Sequence, residues 1–145
     1  MVLRTASLYL LDINTVAYAV SGRSPAARIA IDEQIKRSAV AISVLTEAEI
    51  LYGLARKPEA TRLRAAIETL FSAIAILPWD SISARAYATV RARLSAAGRA
   101  LSPMDMLIAA QAVAVDATLV TSDKAFGQVE ALRPTLNWAT DIYPR

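Results

Sequence analysis

Apolar positions along this chain fall into two alternating kinds of run. Short runs suit buried strands: "SLYLLD" (7–12), "VAISVL" (40–45), "ILP" (76–78) and "ATLVT" (117–121). Longer runs between them follow the 3.6-residue period of a helix. "INTVAYAVSG" predicts a short helix stopped near Gly22. "SPAARIAIDEQIKR" (24–37) opens on Ser-Pro, a good N-cap followed by a good first helical residue. "TEAEILYGLARK" (46–57) places Ile50, Leu51, Leu54 and Ala55 on one side, and "EATRLRAAIETLFSAIA" (59–75) does the same with Leu63, Ala66, Ile67, Leu70 and Phe71. In that second helix the core reading of the stripe outweighs a groove for a partner helix. "DSISARAYATVRARLSAAG" (80–98) starts at an Asp and stops at Gly98, and "SPMDMLIAAQAVAV" follows. After Asp123 come a short helical turn through Phe126 and a last apolar stretch at "LNWA". Strands alternating with helices predict an α/β fold, a three-layer α/β/α sandwich with a mostly parallel central sheet. No repeat or linker divides the chain, so residues 1–145 are expected to form one domain.

The acids interrupt this pattern in telling places. Asp12 ends the first strand, Glu49 is expected in the first turn of the helix after the second strand, and Asp123 sits two residues past "ATLVT". The carboxyl ends of parallel strands share one sheet edge, where α/β folds bind ligands. These three carboxylates should therefore converge. Asp105 joins them if its helix begins at that same edge. Each acid also has a plainer explanation. Thr46-x-x-Glu49 has the form of a capping box, Ser102-Pro103-x-Asp105 resembles one, and Asp12 and Asp123 suit N-caps. Several acids gathered together repel one another and raise a pKa unless a cation neutralises them.

Composition narrows the chemistry. With no Cys and no His, disulfides, zinc-thiolate sites, Cys nucleophiles and His-based catalysis are excluded. What remains is oxygen ligation, which favours Mg²⁺ or Mn²⁺ and supports metal-assisted phosphodiester hydrolysis. The net charge of +3 permits nucleic-acid binding without demanding it. No apolar run approaches the roughly 18 residues of a membrane span, and "MVLRTASLYLLD" lacks the form of a signal peptide. A cytoplasmic protein without membrane contact is expected.

Taken in order, these segments resemble the PIN-domain family. "YLLDINTVAY" is similar to its opening strand and turn, with Ile13 where the family usually has Thr. "ISVLTEAEILYG" is similar to its second motif, pointing to Glu49 with Gly53 as its anchor rather than to Glu47. "LSPMDMLIAAQAVAVDATLVTSDKAF" is similar to its third and fourth motifs, pointing to Asp105 and Asp123. "PWDSISARAYATVRARLSAAG" and the late "NW" fit the same spacing, so the likeness spans nearly the whole chain. Within the family, the chain resembles the VapC/FitB-like toxins of type II toxin–antitoxin pairs.

That resemblance implies a Mg²⁺- or Mn²⁺-dependent endoribonuclease acting on tRNA or ribosomal RNA, a cognate antitoxin as partner, and a homodimer. It implies Asp12, Asp105 and Asp123 as metal ligands. Glu49 would be a further ligand or would position the attacking water. Asn14 and Thr121 would orient the carboxylates. Thr46 is expected to be only the helix cap. Arg91, Arg93, Arg99 and Lys124 are candidates for an RNA-facing cationic rim, against the alternative of a solvated surface. Three rivals stand beside this reading. A phosphoacceptor receiver domain would need a Lys ending its last strand, where Lys124 instead follows an Asp. A silent binding module sits poorly with four retained acids. A housekeeping RNA-maturation nuclease would have no antitoxin.

Overall fold

The computed structural model describes residues 7–37 and 39–140. Four strands, β1 (Tyr9–Leu11), β2 (Val40–Ser43), β3 (Ala75–Leu77) and β4 (Thr118–Val120), form a wholly parallel sheet in the order β3-β2-β1-β4. β1 is central, pairing Leu11 with Ile42 on one side and with Val120 on the other. The helices are α1 (Ile13–Ser21), α2 (Pro25–Ile35), α3 (Val44–Ala55), α4 (Thr61–Ala73), α5 (Ser81–Ala96) and α6 (Pro103–Ala114). A 3₁₀ turn, η1, covers Lys124–Gln128.

Alternation along the strands divides the core in two. Leu10, Ala41 and Leu119 face one layer, formed with Val90 and Leu94 of α5, Ile108 and Ala109 of α6, and Phe126 and Val129. Leu11, Ile42 and Val120 face the other, with Val16 of α1, Ile31 of α2, Leu54 of α3 and Ile67 of α4. Because both faces are covered, the strands read as continuous apolar runs rather than as alternating ones. This is the expected three-layer sandwich. Within the first layer, Gln111 is fully buried in α6 and donates from Nε2 to the carbonyls of Leu77 and Pro78, tying α6 to the end of β3.

Local signals account for the helix ends. Gly22 takes a left-handed conformation after α1, at φ 74°, where a side chain would be strained. Ser24, Asp80 and Ser102 each accept a hydrogen bond from a backbone N–H in the first turn of the helix that follows. One boundary differs from the sequence expectation. β2 ends at Ser43, and α3 is capped by Ser43, whose hydroxyl accepts from Leu45 N at 3.1 Å. Thr46 is therefore inside the first turn and buried rather than being the cap, and Glu49 lies in the second turn. Leu51 and Ala55 are exposed, so the buried side of α3 is carried by Ile50 and Leu54. In α4 the stripe is split: Ile67 is buried, while Leu63 faces outward into a groove. The apolar stretch at "LNWA" adds a further parallel bridge, Leu136 to Val120, and buries Trp138 against Tyr9. No helix among the described residues is long and apolar enough to cross a membrane.

Candidate active site

The chain builds β1, β2 and β3 outward in one direction and then returns to place β4 on the opposite flank of β1. The order thus reverses between β1 and β4, and crevices at the carboxyl ends of strands open at such a reversal. Asp12 leaves β1 there and Asp123 follows β4. The N-terminal end of α6 brings Asp105 to the same edge, and the second turn of α3 brings Glu49. All four acids, with Asn14, line one small cleft of about 50 Å³, floored by Ile13, Met104, Ile108 and Phe126.

Capping and site-building are the same act for two of these residues. Asp12 is the N-cap of α1, its Oδ1 accepting from Thr15 N at 2.9 Å. Asp123 is the N-cap of η1, accepting from Ala125 N at 2.9 Å. For Asp105 the cap is Ser102, whose hydroxyl accepts from Asp105 N at 3.2 Å. The Asp105 carboxylate stands in the first turn, where the helix dipole favours negative charge.

Behind the cleft lies buried Thr121. Its hydroxyl donates to Asp12 Oδ2 and accepts from Asp123 N at 3.0 Å. One side chain therefore orients two of the acids. Thr15, which sequence reading passed over, serves alongside it. Its backbone N–H holds Asp12 and its hydroxyl donates to the Val120 carbonyl at 3.0 Å, locking the start of α1 to the end of β4. The sequence signal was the Asp12-x-x-Thr15 spacing, a cap with a polar residue three positions on.

Burial pushes the Asp12 carboxyl above its ordinary value. The hydrogen bonds from Thr121 and Thr15 oppose this, and the charge of Asp105 adds to it. A carboxyl so placed gains from a neighbouring cation. No three acids among the described residues stand close enough together to close on one ion with the side chains in these positions. Like charges repel, and Asp12 and Asp123 are already held by their capping bonds. The donor set is nonetheless of one chemical kind. Carboxylates with the Asn14 amide, and no imidazole or thiolate, fit a hard divalent ion of the Mg²⁺ or Mn²⁺ type.

The basic candidates lie outside this cleft. Arg91 is exposed, donates to the Tyr87 hydroxyl at 2.8 Å and lies over its ring. Arg93 and Arg99 line a separate pocket beside η1, and Lys124 is exposed at the first residue of η1. Gly53 is not a close-packed anchor, since a Cβ there would meet nothing within 4 Å. It lines an apolar groove of about 400 Å³ between α1, α3 and α4, whose upper end is formed by Ile13 and Glu49 of the acidic cleft.

A parallel sheet with acids gathered at its topological switch point places the chain among α/β folds that carry an acidic cleft at the carboxyl ends of their strands. The PIN domain model matches residues 9–132, and the chain belongs to the PIN-domain family. Among characterised relatives it is 32% identical to Ribonuclease VapC2 of Haemophilus influenzae, over 90% of this chain and 97% of the relative. It is 28% identical to the tRNA(fMet)-specific endonuclease VapC of Shigella flexneri, over 90% and 98%. The solved structure of DNA-bound VapBC from Salmonella typhimurium superposes with a TM-score of 0.82 at 25% identity, covering 91% of this chain and 98% of that one.

Proposed function

We propose that this protein is a Mg²⁺- or Mn²⁺-dependent endoribonuclease, the toxin of a toxin–antitoxin pair, hydrolysing phosphodiester bonds in RNA. The observation that carries the reading is the meeting of Asp12, Glu49, Asp105 and Asp123 in one cleft of a chain that has no His and no Cys. Asp12, Asp105 and Asp123 would hold the ion. Glu49, exposed at the rim, would complete its shell or accept a proton from the attacking water. When bound, the ion supplies an acidified water and charge stabilisation at the phosphate. The chain's own contribution is positional. Thr121 and Thr15 fix the Asp12 carboxylate, Thr121 and the Ala125 amide fix Asp123, and Ile108 and Phe126 keep the floor of the cleft apolar. Asn14 reaches the cleft as a neutral donor and acceptor.

The named activities of the relatives support RNA as substrate, and the Shigella relative points to tRNA as its class. The VapBC neighbour and the likeness to VapC/FitB-like toxins support a small protein antitoxin. The groove of α1, α3 and α4 is where its apolar segment would lie, with Leu63, Ile50 and Leu54 against it and Glu49 at its end. The exposed Leu51 and Tyr52 on α3 suit a homodimer contact. With RNA as substrate, the enzyme acts in the cytoplasm.

The test is cleavage of total cellular RNA by the purified, antitoxin-free protein beside Asp105→Asn, with Mg²⁺, Mn²⁺ or EDTA. Discrete fragments that require the ion and vanish in the variant are expected. No cleavage with either ion would overturn the reading in favour of a binding module.

A further inference from the structure

A second pocket begins two residues along the chain from Phe126 of the acidic cleft. Its volume is about 380 Å³, within the range of roughly 300–1,000 Å³ typical of small-ligand sites. The chain between them is the end of η1 and its C-cap, Val129. Phe126 lines the cleft, and Gln128 and Val129 line the pocket, with Val129 N bonded to the Phe126 carbonyl at 3.1 Å. The opposite wall is the last turns of α5, from which the chain runs on to Asp105. Both segments that build the pocket thus also carry a site acid, Asp105 downstream of one and Asp123 upstream of the other.

The chemistry of the pocket is layered. Its floor is aliphatic: Val90, Leu94 and Val129 are buried there. Its rim carries two guanidinium groups, Arg93 and Arg99, both exposed. The ion pairs among the described residues, Arg28–Asp32 and Arg133–Asp116, engage neither. Two acceptors stand at its edge. One is the Glu130 carboxylate. The other is the amide oxygen of Gln128, whose Nε2 is already spent on the Ala125 carbonyl at 3.1 Å. An inorganic anion would gain nothing from the aliphatic floor, and an aliphatic side chain would gain nothing from the rim. A flat heterocycle attached to a phosphodiester uses all three. Guanidinium planes stack on unpaired bases, and cations hold the backbone.

We propose that this pocket receives one unpaired nucleobase of the RNA, flanking the bond cut in the acidic cleft, and that it favours a base bearing an exocyclic amine. This rests on the ribonuclease reading above and adds a specificity site to it. The two acceptors at the edge choose the base: cytosine offers an amine to Glu130 and Gln128 where uracil presents a carbonyl.

The experiment measures binding of labelled single-stranded octamers by fluorescence anisotropy in EDTA. The strands are all-cytidine, all-uridine and abasic ribose-phosphate of equal charge. Wild type is expected to bind the cytidine strand about tenfold tighter than the abasic one and about threefold tighter than the uridine one. Ala131→Trp, at an exposed position lining the pocket, fills it and should erase the advantage of bases over the abasic strand. Glu130→Ala should erase the preference for cytidine over uridine while tightening all three strands alike, since it removes a negative charge. Equal binding of all three strands by wild type, or an unaltered preference in Ala131→Trp, overturns the proposal. Cleavage of total RNA by the same preparation separates the failures. Cleavage without base preference sinks the pocket alone, whereas neither cleavage nor binding sinks the ribonuclease reading as well.

Discussion

The hydroxyl of Thr121 donates to the carboxylate of Asp12, although the two residues are 109 positions apart. The bond joins the ends of β1 and β4, and the same oxygen accepts from the Asp123 amide. It favours the charged form of a carboxyl that burial otherwise pushes up. Thr121→Val should therefore raise the Asp12 pKa further and move the acid limb of the cleavage pH profile toward neutrality. Ion affinity should fall about 10–100-fold, the usual effect of losing such an orienting partner. Thr121→Ser, which keeps the donor, should restore the wild-type profile. An unmoved acid limb in Thr121→Val would remove Thr121 from the site.

Asp12 is predicted to cost the ion-free protein stability. Its folded pKa lies above the unfolded value near 3.8, so the folded state binds its proton more tightly. The stability this gives is present below the unfolded pKa and is lost as pH rises through the folded one. At pH 7 in EDTA, Asp12→Asn should melt higher than wild type, with the difference vanishing as pH falls below the unfolded value. Added Mn²⁺ should raise the melting temperature of wild type and leave the variant unmoved. A variant that melts lower at pH 7 would mean that the α1 cap outweighs the buried charge.

The acids should not weigh equally. Asp105→Asn and Asp123→Asn are expected to lower the cleavage rate by at least about a hundredfold, because each removes a ligand oxygen's charge. Glu49→Gln, at an exposed rim position, should cost about tenfold, near the lower end of what a proton-accepting group contributes. Single-turnover cleavage with each purified variant gives the ranking, and a Glu49→Gln loss as deep as that of Asp105→Asn would make Glu49 a ligand of equal standing.

Gly53 lies inside α3 with open space where its Cβ would be. Gly53→Ala should stabilise the protein by about 0.5–1 kcal/mol in chemical denaturation, the usual gain for a helix interior. A bulky residue is a different matter in the proposed antitoxin groove. Gly53→Phe should leave RNA cleavage intact and weaken inhibition by the partner. Undiminished inhibition would move the partner's binding segment elsewhere.

Ser43, fully buried, caps α3. Ser43→Ala should cost about 0.5–2 kcal/mol, more than Thr46→Ser, which keeps the hydroxyl at a position that caps nothing. Equilibrium unfolding of the two variants decides between the two candidate caps.

That misplaced cap shows where the sequence stops being legible. Val44 and Leu45 continue the apolar run of β2, and Ser43 and Thr46 are both good cap residues, so local propensity leaves the boundary open. Pairing with a neighbour decides it, because Ser43 is the last residue of β2 in register with β3, opposite Leu77. The acids at strand ends were readable for the opposite reason: a charge directly after a fully buried parallel strand has only the sheet edge to go to. The fall of Asp105 at that edge required the α5–α6 hairpin, which no local pattern encodes. The separation of Arg93 and Arg99 from the cleft likewise depends on Val90 and Leu94 of α5 sharing one buried cluster with Phe126 and Val129, more than thirty residues on in sequence.

Ile13 and Glu49 belong to both the acidic cleft and the apolar groove. Any coupling between two occupants that share these side chains runs both ways with the same factor. Whatever a divalent ion does to the grip of a protein seated in the groove, that protein does to the grip on the ion. On the reading proposed above, a divalent ion in the cleft would be an input to how firmly the partner in the groove holds the enzyme, with no separate sensor domain required.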